Sequence, residues 1–351
     1  MMEETESQKQ GQGRRPYKVL VTGATGFVGS HVVEELCRRG DQVRALVRPG
    51  ADANLLESWG ATVVRGDLTD PASLASAVDG VDVVVHCAAK VGDWGPVEEY
   101  RRVNVEGLRA LCDAVLGKPL HRLVHLSTLG VYAAQHHFGT DESEPLPDQH
   151  IDGYTQSKVE AERLALQYHR KQQVPVVVLR PGFVYGPRDR TLLPRLVARL
   201  REGSVLYIAG GRYALNTTYV GNLVQAIVLA MEAPAERVVG EIFNITDGEF
   251  VSKRVFFETV ADGLGLPRPR SFPSVPLWLA RILAHWRESK FRRENRPYPP
   301  RLTQAQLKFA GLNLDFSIAK ARQVLGYDPA TSFQEGMRRT LEWFRQRSSS
   351  V

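Results

Sequence analysis

Two residues in GYTQSKVEAE, Tyr154 and Lys158, are of types that can move a proton, and their i, i+4 spacing puts them on one face of a helix. A free tyrosine titrates near ~10 and exchanges protons poorly at neutral pH. An ammonium held beside it favours phenolate, and the pair could then trade a proton with a carbonyl or hydroxyl. Such a pair recurs by chance, so its surroundings matter. An apolar run, RLVHLSTLGVY, ends in Ser127 and Thr128. A hydroxyl at the end of that strand would stand beside the tyrosine and hold a substrate oxygen by hydrogen bonding.

A second chemical feature lies near the start, in KVLVTGATGFVGSHVVEEL. Gly23, Gly26 and Gly29 fall between a strand pattern and a helix pattern, where three helix-averse residues need a reason. A pyrophosphate supplies one: a tight turn, a close backbone approach, and close packing of helix on strand, with the helix N-terminus aimed at the anion. GDLTD offers Asp67 to an adenine amino group and Leu68 to the adenine face. The second strand ends ALVRPG. Where an NAD-binding loop carries an acid for the ribose, this chain has Val47, then Arg48. A guanidinium there suits a 2′-phosphate, and alternation sets Arg44 on the same face as Arg48. The cofactor expected is NADP(H), with NAD(H) as the alternative.

These residues need a parallel sheet to position them. KVLVTG, QVRALVR, TVVRGD, VDVVVHCA, RLVHLST and PVVVLRPG read as strands buried on both faces. Helical patterns lie between them at Ser30–Arg39, Pro71–Val78, Glu98–Leu116 and Tyr154–Arg170. This is an α/β, doubly wound sheet of the Rossmann type, with ligand at the carboxyl ends of its strands. The expected organisation is a disordered tail over 1–15, a dinucleotide-binding domain over 16–185 to which 217–246 returns, and a smaller substrate-binding lobe from 186–216 and 247–347. The prolines of LPRPRSFPSVP (266–276) argue against regular structure there. In VPLWLARILAHWRESKFRR (275–293), Trp278, Leu279, Ile282, Leu283 and Trp286 fall at helical spacing. That stripe either packs on the lobe, the preferred reading, or caps a greasy pocket or touches lipid.

The bulk numbers fit a globular protein: 351 residues, 43% hydrophobic, 24% charged, net charge +6. The basic residues are spread widely and form no nucleic-acid module. Cys37, Cys87 and Cys112 show no metal spacing and read as reduced thiols of a cytoplasmic protein. No run approaches eighteen uninterrupted apolar residues.

TGATGFVG, GDLTD, HCAAK, NVEG, STLGVY, YTQSK and RPGFVYGP stand in the order and spacing of the extended short-chain dehydrogenase/reductases, which the chain resembles over nearly its whole length after residue 16. The resemblance implies that Tyr154 is the general acid/base, Lys158 its partner and ribose clamp, Thr128 the catalytic hydroxyl and Asn104 the holder of the active-site helix and water relay. It implies cofactor contacts at Gly23, Thr25, Gly26, Phe27, Val28 and Gly29, and at Arg48, Asp67 and Leu68. Further contacts would come from His86, Ala88, Ala89, Lys90 and Ser127, and from the turn Pro181, Gly182 and Val184 at the nicotinamide. A homodimer through the helices Glu98–Leu116 and Tyr154–Arg170 is also implied.

AAKVGDWGPVEEYRRVNVEG and ALNTTYVGNLVQAI resemble the branch of 3β-hydroxysteroid dehydrogenases, sterol-4-carboxylate dehydrogenases and 2-alkyl-3-oxoalkanoate reductases, with Gly92, Asp93 and Trp94 in a loop over substrate. Leu215, Asn216 and Thr217 stand where nucleotide-sugar enzymes carry a diphosphate-binding arginine. Leu129 and Gly130 stand where dehydratases carry acids. The expected activity is hydride transfer at a 3-oxo or 3-hydroxy group of an apolar small molecule, steroid-like or a 2-alkyl-3-oxo acid, with no nucleic acid as partner. A nucleotide-sugar epimerase is the alternative, and a non-catalytic dinucleotide sensor a third reading.

Overall fold

The computed structural model describes residues 15–348 except 295, 297 and 301. The tail expected over 1–15 falls almost wholly outside them. Seven parallel strands form one sheet: β1 (Lys18–Thr22), β2 (Gln42–Val47), β3 (Thr62–Arg65), β4 (Val83–His86), β5 (Arg122–Leu126), β6 (Val176–Pro181) and β7 (Ile242–Ile245). Their spatial order is β7-β6-β5-β4-β1-β2-β3, so the order reverses between β1 and β4. Every pairing is parallel, with Thr22 opposite both Leu46 and His86. Ligand binds at such a switch point in doubly wound sheets.

The all-apolar strands are the reason for the two covered faces. Val83, Val84 and Val85 are fully buried, each burial worth roughly 1.5–3 kcal/mol relative to exposure. α1 (Phe27–Arg38) covers one face together with the later helix Val220–Glu232, through Val32, Val33, Leu223 and Ile227. The other face lies under α2 (Pro71–Ala77), α3 (Gly107–Val115) and α4 (Gly153–Gln172), through Leu74, Leu108, Leu111, Ala161 and Ala165. Asp152 caps α4 by accepting from Thr155 N at 2.8 Å, and Asp70 caps α2 with Pro71 in its first turn.

The helix expected over Glu98–Leu116 is not uniform. Val97–Arg101 is α-helical, Arg102–Glu106 is a π-turn, and α3 follows. A π-turn inserts a residue without breaking the helix and tends to mark functional positions.

Beyond β6 the chain builds a second cluster from Leu193, Val197, Tyr207, Phe256 and Met337 among others. The proline-rich stretch departs from expectation: Arg270–Val275 forms a strand parallel to Leu206–Ile208, with a register irregularity between its two paired ends. Irregularities of this kind are where a strand tolerates proline. The amphipathic segment is helix α5 (Leu277–Arg293), followed by α6 (Gln304–Gly311). Its orientation reverses the preferred reading: Ala280 and Ala284 are buried, while Trp278, Ile282 and Trp286 are 64%, 50% and 74% exposed. Among the described residues no helix is long and apolar enough to cross a membrane.

Candidate active site

The glycine turn joins β1 to α1. Gly23 has φ +68°, and a Cβ there would stand 2.7 Å from the Ala88 backbone. A Cβ on Gly29 would stand 2.1 Å from Gly23 O. Only hydrogen fits at either place, so turn, helix and β4 converge on one narrow cradle. α1 follows the N-cap Gly26 with no side-chain cap, so its first N–H groups are left to the turn, while the Phe27 and Val28 side chains pack on the two neighbouring hydrophobic clusters. This is the geometry expected of a pyrophosphate site.

At the adenosine end, Asp67 Oδ1 accepts from Thr69 N and Oγ1 at 2.9 and 2.7 Å. These bonds, with weaker pulls from Arg48 and Arg102, hold its carboxyl below the usual range. Leu68 is buried against Gly107. Arg102 is a cation the sequence reading missed; nothing in its local pattern links it to Asp67. Arg44 is a correction. Its guanidinium donates to Ala77 O at 2.7 Å and Asp79 O at 2.9 Å, closing the C-terminal end of α2. It does not reach the ribose side.

The strand ends β4, β5 and β6 carry the central groups. Asn104, in the π-turn, accepts from Lys90 N at 2.7 Å and donates to Lys90 O at 3.0 Å and Ser157 Oγ at 2.8 Å. Ser157 Oγ donates to Tyr154 O at 2.8 Å. One amide thus ties the Ala88–Ala89–Lys90 segment to the first turns of α4. Lys90 itself pairs with Glu99. His86 lies inward, bonded to Thr22 Oγ1 at 2.7 Å and buried, so its side chain is part of the core.

Tyr154 and Thr128 meet. Burial, then Asp152, push the Tyr154 phenol up to about 12, and a hydrogen bond with Thr128 pulls the other way. Burial is the largest influence on this phenol, opposite in sign to the pull expected of Lys158. Lys158 is buried and donates to Leu126 O at 2.5 Å. Burial lowers its ammonium to about 8, against the opposing pull of Glu162 and Cys87.

Glu162 was missed, although it follows Lys158 by another i+4 step. It is 2% exposed and paired with Arg180, and Ser127 Oγ donates to it at 2.7 Å. Ser127 therefore spends its hydroxyl on the interior, leaving Thr128 as the hydroxyl beside Tyr154. Arg180 also donates to Tyr132 OH at 2.7 Å. In the turn after β6, Gly182 N donates to Ile245 O at 3.0 Å and Thr218 Oγ1 at 3.1 Å, and Phe183 N to Asn216 O at 2.7 Å. Pro181 closes β6, and Val184 pairs with Thr218.

On the substrate side, Trp94 Nε1 donates to Arg296 O at 3.1 Å, and Gln306 Nε2 to Asp93 Oδ2 at 2.9 Å. The Gly92–Trp94 loop thus docks on the C-terminal lobe. Lys308, from α6, donates to Gly130 O and Tyr132 O at 2.7 Å each. A cavity of about 500 Å³ opens there, walled by Ile151 near Tyr154 and by α5 and α6. No sequence signal pointed to Lys308.

The profile of the NAD dependent epimerase/dehydratase family matches residues 19–246. The chain is 33% identical to the 2-alkyl-3-oxoalkanoate reductase of Stenotrophomonas maltophilia, covering 92% of this chain and 98% of that one. It is 33% identical to a 3 beta-hydroxysteroid dehydrogenase/Delta 5-->4-isomerase of Mycobacterium tuberculosis, covering 93% and 90%. Among solved structures, the dTDP-glucose 4,6-dehydratase DesIV of Streptomyces venezuelae, with NAD and TYD bound, superposes with a TM-score of 0.75 at 26% identity over 95% of this chain and 98% of that one.

Proposed function

The chain belongs to the NAD dependent epimerase/dehydratase family, whose enzymes are NAD(P)-dependent, and from that premise we propose that it is an NADP(H)-dependent oxidoreductase acting on a 3-oxo or 3-hydroxy group of an apolar substrate. The observation that carries the proposal is the meeting of Tyr154 and Thr128 at the carboxyl end of β5, with buried Lys158 bonded to Leu126 O beside them. The glycine turn suits the cofactor's pyrophosphate: Gly23 and Gly29, where a Cβ would strike the Ala88 backbone and Gly23 O, let strand, turn and helix start pack closely. When bound, it supplies or accepts the hydride. In the reductive direction Tyr154 gives its proton to the substrate oxygen while the Thr128 hydroxyl orients that oxygen. Lys158, held at Leu126 O, keeps positive charge behind the phenol. Asn104 fixes α4 against the Ala88–Lys90 segment, so Tyr154 keeps its position.

The preference for NADP(H) rests on Arg48 and Arg102 beside Asp67, two cations at the end of the cleft where a 2′-phosphate would lie. The apolar substrate class is supported by the α5 face and by the names of the two relatives. A nucleotide-sugar substrate is less well served: Leu215 is buried, and Asn216 O is committed to Phe183 N. The same reading keeps a peripheral lipid contact for the outer part of α5, where Trp278 and Leu283 are exposed on a helix whose last turn carries Lys290, Arg292 and Arg293.

The test mixes purified protein with NADPH or NADH and steroid ketones, 2-alkyl-3-oxo acids or UDP-sugars, and follows nicotinamide absorbance. Net oxidation with a ketone supports the proposal. Conversion of a sugar nucleotide with no net change in cofactor would replace it with the epimerase reading.

A further inference from the structure

The cavity between α5, α6 and the Tyr154 end of α4 has an uneven charge. Three basic side chains line it, Arg281, His285 and Lys308, and no acid does. Among the described residues none of the three has a carboxylate at ion-pair distance. The nearest acids lie behind the wall. Asp152 acts on Lys308 but caps α4, and Glu288 acts on His285's side of the wall but accepts from Gln304 N. The rest of the lining is mostly apolar, with Ile282, Trp286 and Leu307 forming a continuous greasy wall. Arg281 and His285 run beside Ile282 and Trp286 along α5, and Lys308 beside Leu307 on α6, so basic and apolar surface lie side by side and suit an anionic amphiphile.

The donors available fit a small anion. Lys308 has three N–H groups, and two go to Gly130 O and Tyr132 O. Arg281 gives one bond to Ala134 O at 3.2 Å. What remains, one N–H on Lys308 and four on Arg281, is enough to hold both oxygens of a carboxylate. Position narrows it further. Gly130 O accepts from Lys308, and Gly130 N donates to Thr128 Oγ1 at 3.1 Å. A single residue separates the group that would hold the anion from the hydroxyl that would hold the reacting oxygen.

We propose that this cavity selects a 3-oxo or 3-hydroxy carboxylate, gripping its carboxylate with Lys308 and Arg281 and laying its alkyl chain along Ile282 and Trp286. The proposal rests on the function proposed above and chooses, within it, the acid over the neutral steroid.

Binding alone tests it. The full-length protein is titrated calorimetrically with 3-hydroxydecanoate, its methyl ester and decyl phosphate, without cofactor. The acid should bind about tenfold or more tightly than the ester, and Arg281→Ala, at an exposed position, should erase that margin while leaving ester affinity unchanged. Lys308→Met should also erase the acid-over-ester margin, with circular dichroism checking that the fold survives. Equal affinity for acid and ester, a margin untouched by Arg281→Ala, tighter binding of the phosphate, or no binding of any of the three overturns the proposal. Turnover of a neutral ketone with NADPH alongside any of those results would sink this inference and leave the oxidoreductase standing. Acid-selective binding with no nicotinamide turnover on any ketone would do the reverse.

Discussion

Glu162 lies one helical turn beyond Lys158 and opposes the burial that lowers the lysine ammonium to about 8. The carboxylate is itself locked by Arg180 and Ser127. The acid–base pair therefore has a third member on the same helical face, and the third member is anchored to β5 and β6.

Activity should depend on this arrangement through pH. Lys158 titrates at about 8, below the ordinary lysine value, so its positive charge is present below that pH and lost above it. The kcat/KM for ketone reduction should fall on the alkaline side with an apparent pKa near there. Glu162→Gln removes the charge that favours ammonium, and the alkaline limb should move to lower pH. The variant leaves Arg180 unpaired in the interior and should cost ~3 kcal/mol of stability. Ser127→Ala, a milder change, should move the limb less. An alkaline limb unmoved in both folded variants would remove Glu162 from the mechanism.

Tyr154→Phe keeps the ring and its packing against Tyr100 but removes the proton. Turnover should drop by roughly 10²–10⁴-fold, with NADPH affinity by fluorescence titration within a few-fold of wild type. Retained turnover would show that the proton comes from elsewhere.

Gly29→Ala places a methyl group 2.1 Å from Gly23 O. The helix start must shift, which costs about 1–3 kcal/mol and pulls the N–H groups away from the phosphates. Cofactor affinity should fall at least about tenfold, with a lowered Tm. An unchanged cofactor affinity would mean the pyrophosphate sits elsewhere.

Arg48→Ala should weaken NADPH by about tenfold and leave NADH nearly unchanged, because only the former has a phosphate for the guanidinium. Arg102→Ala should act in the same direction. Steady-state KM ratios for the two cofactors decide it; equal losses for both would mean the arginines serve the adenosine generally.

Much of this was legible in the residues because it is local. The glycine spacing, the Tyr154–Lys158 pair and the apolar strands all depend on neighbours a few positions away, and the structure places them in a strand-to-helix turn, on one helix and in one parallel sheet. Arg44 failed because its acceptors sit on another element, at Ala77 and Asp79; alternation gives a side chain's face but not its partner. Ser127 and Thr128 are adjacent hydroxyls, and only the bond to Glu162, 35 positions away, shows that the Ser127 side chain turns inward. The π-turn holding Asn104 leaves no mark on the helical period. Lys308 meets Gly130 from 178 positions away, and no local pattern encodes such a contact. The α5 stripe was visible, but which way it faced depended on two alanines small enough to let the helix settle on the opposite side.

The grip of Lys308 on Gly130 and Tyr132 has a further bearing on how this enzyme can be re-engineered. The loop that carries Thr128 is tethered by a residue 178 positions from Gly130. The two halves are therefore poor interchangeable modules. A chimera that grafts a foreign C-terminal half onto this sheet would inherit a slack catalytic loop unless the graft also brings an amine to that one place.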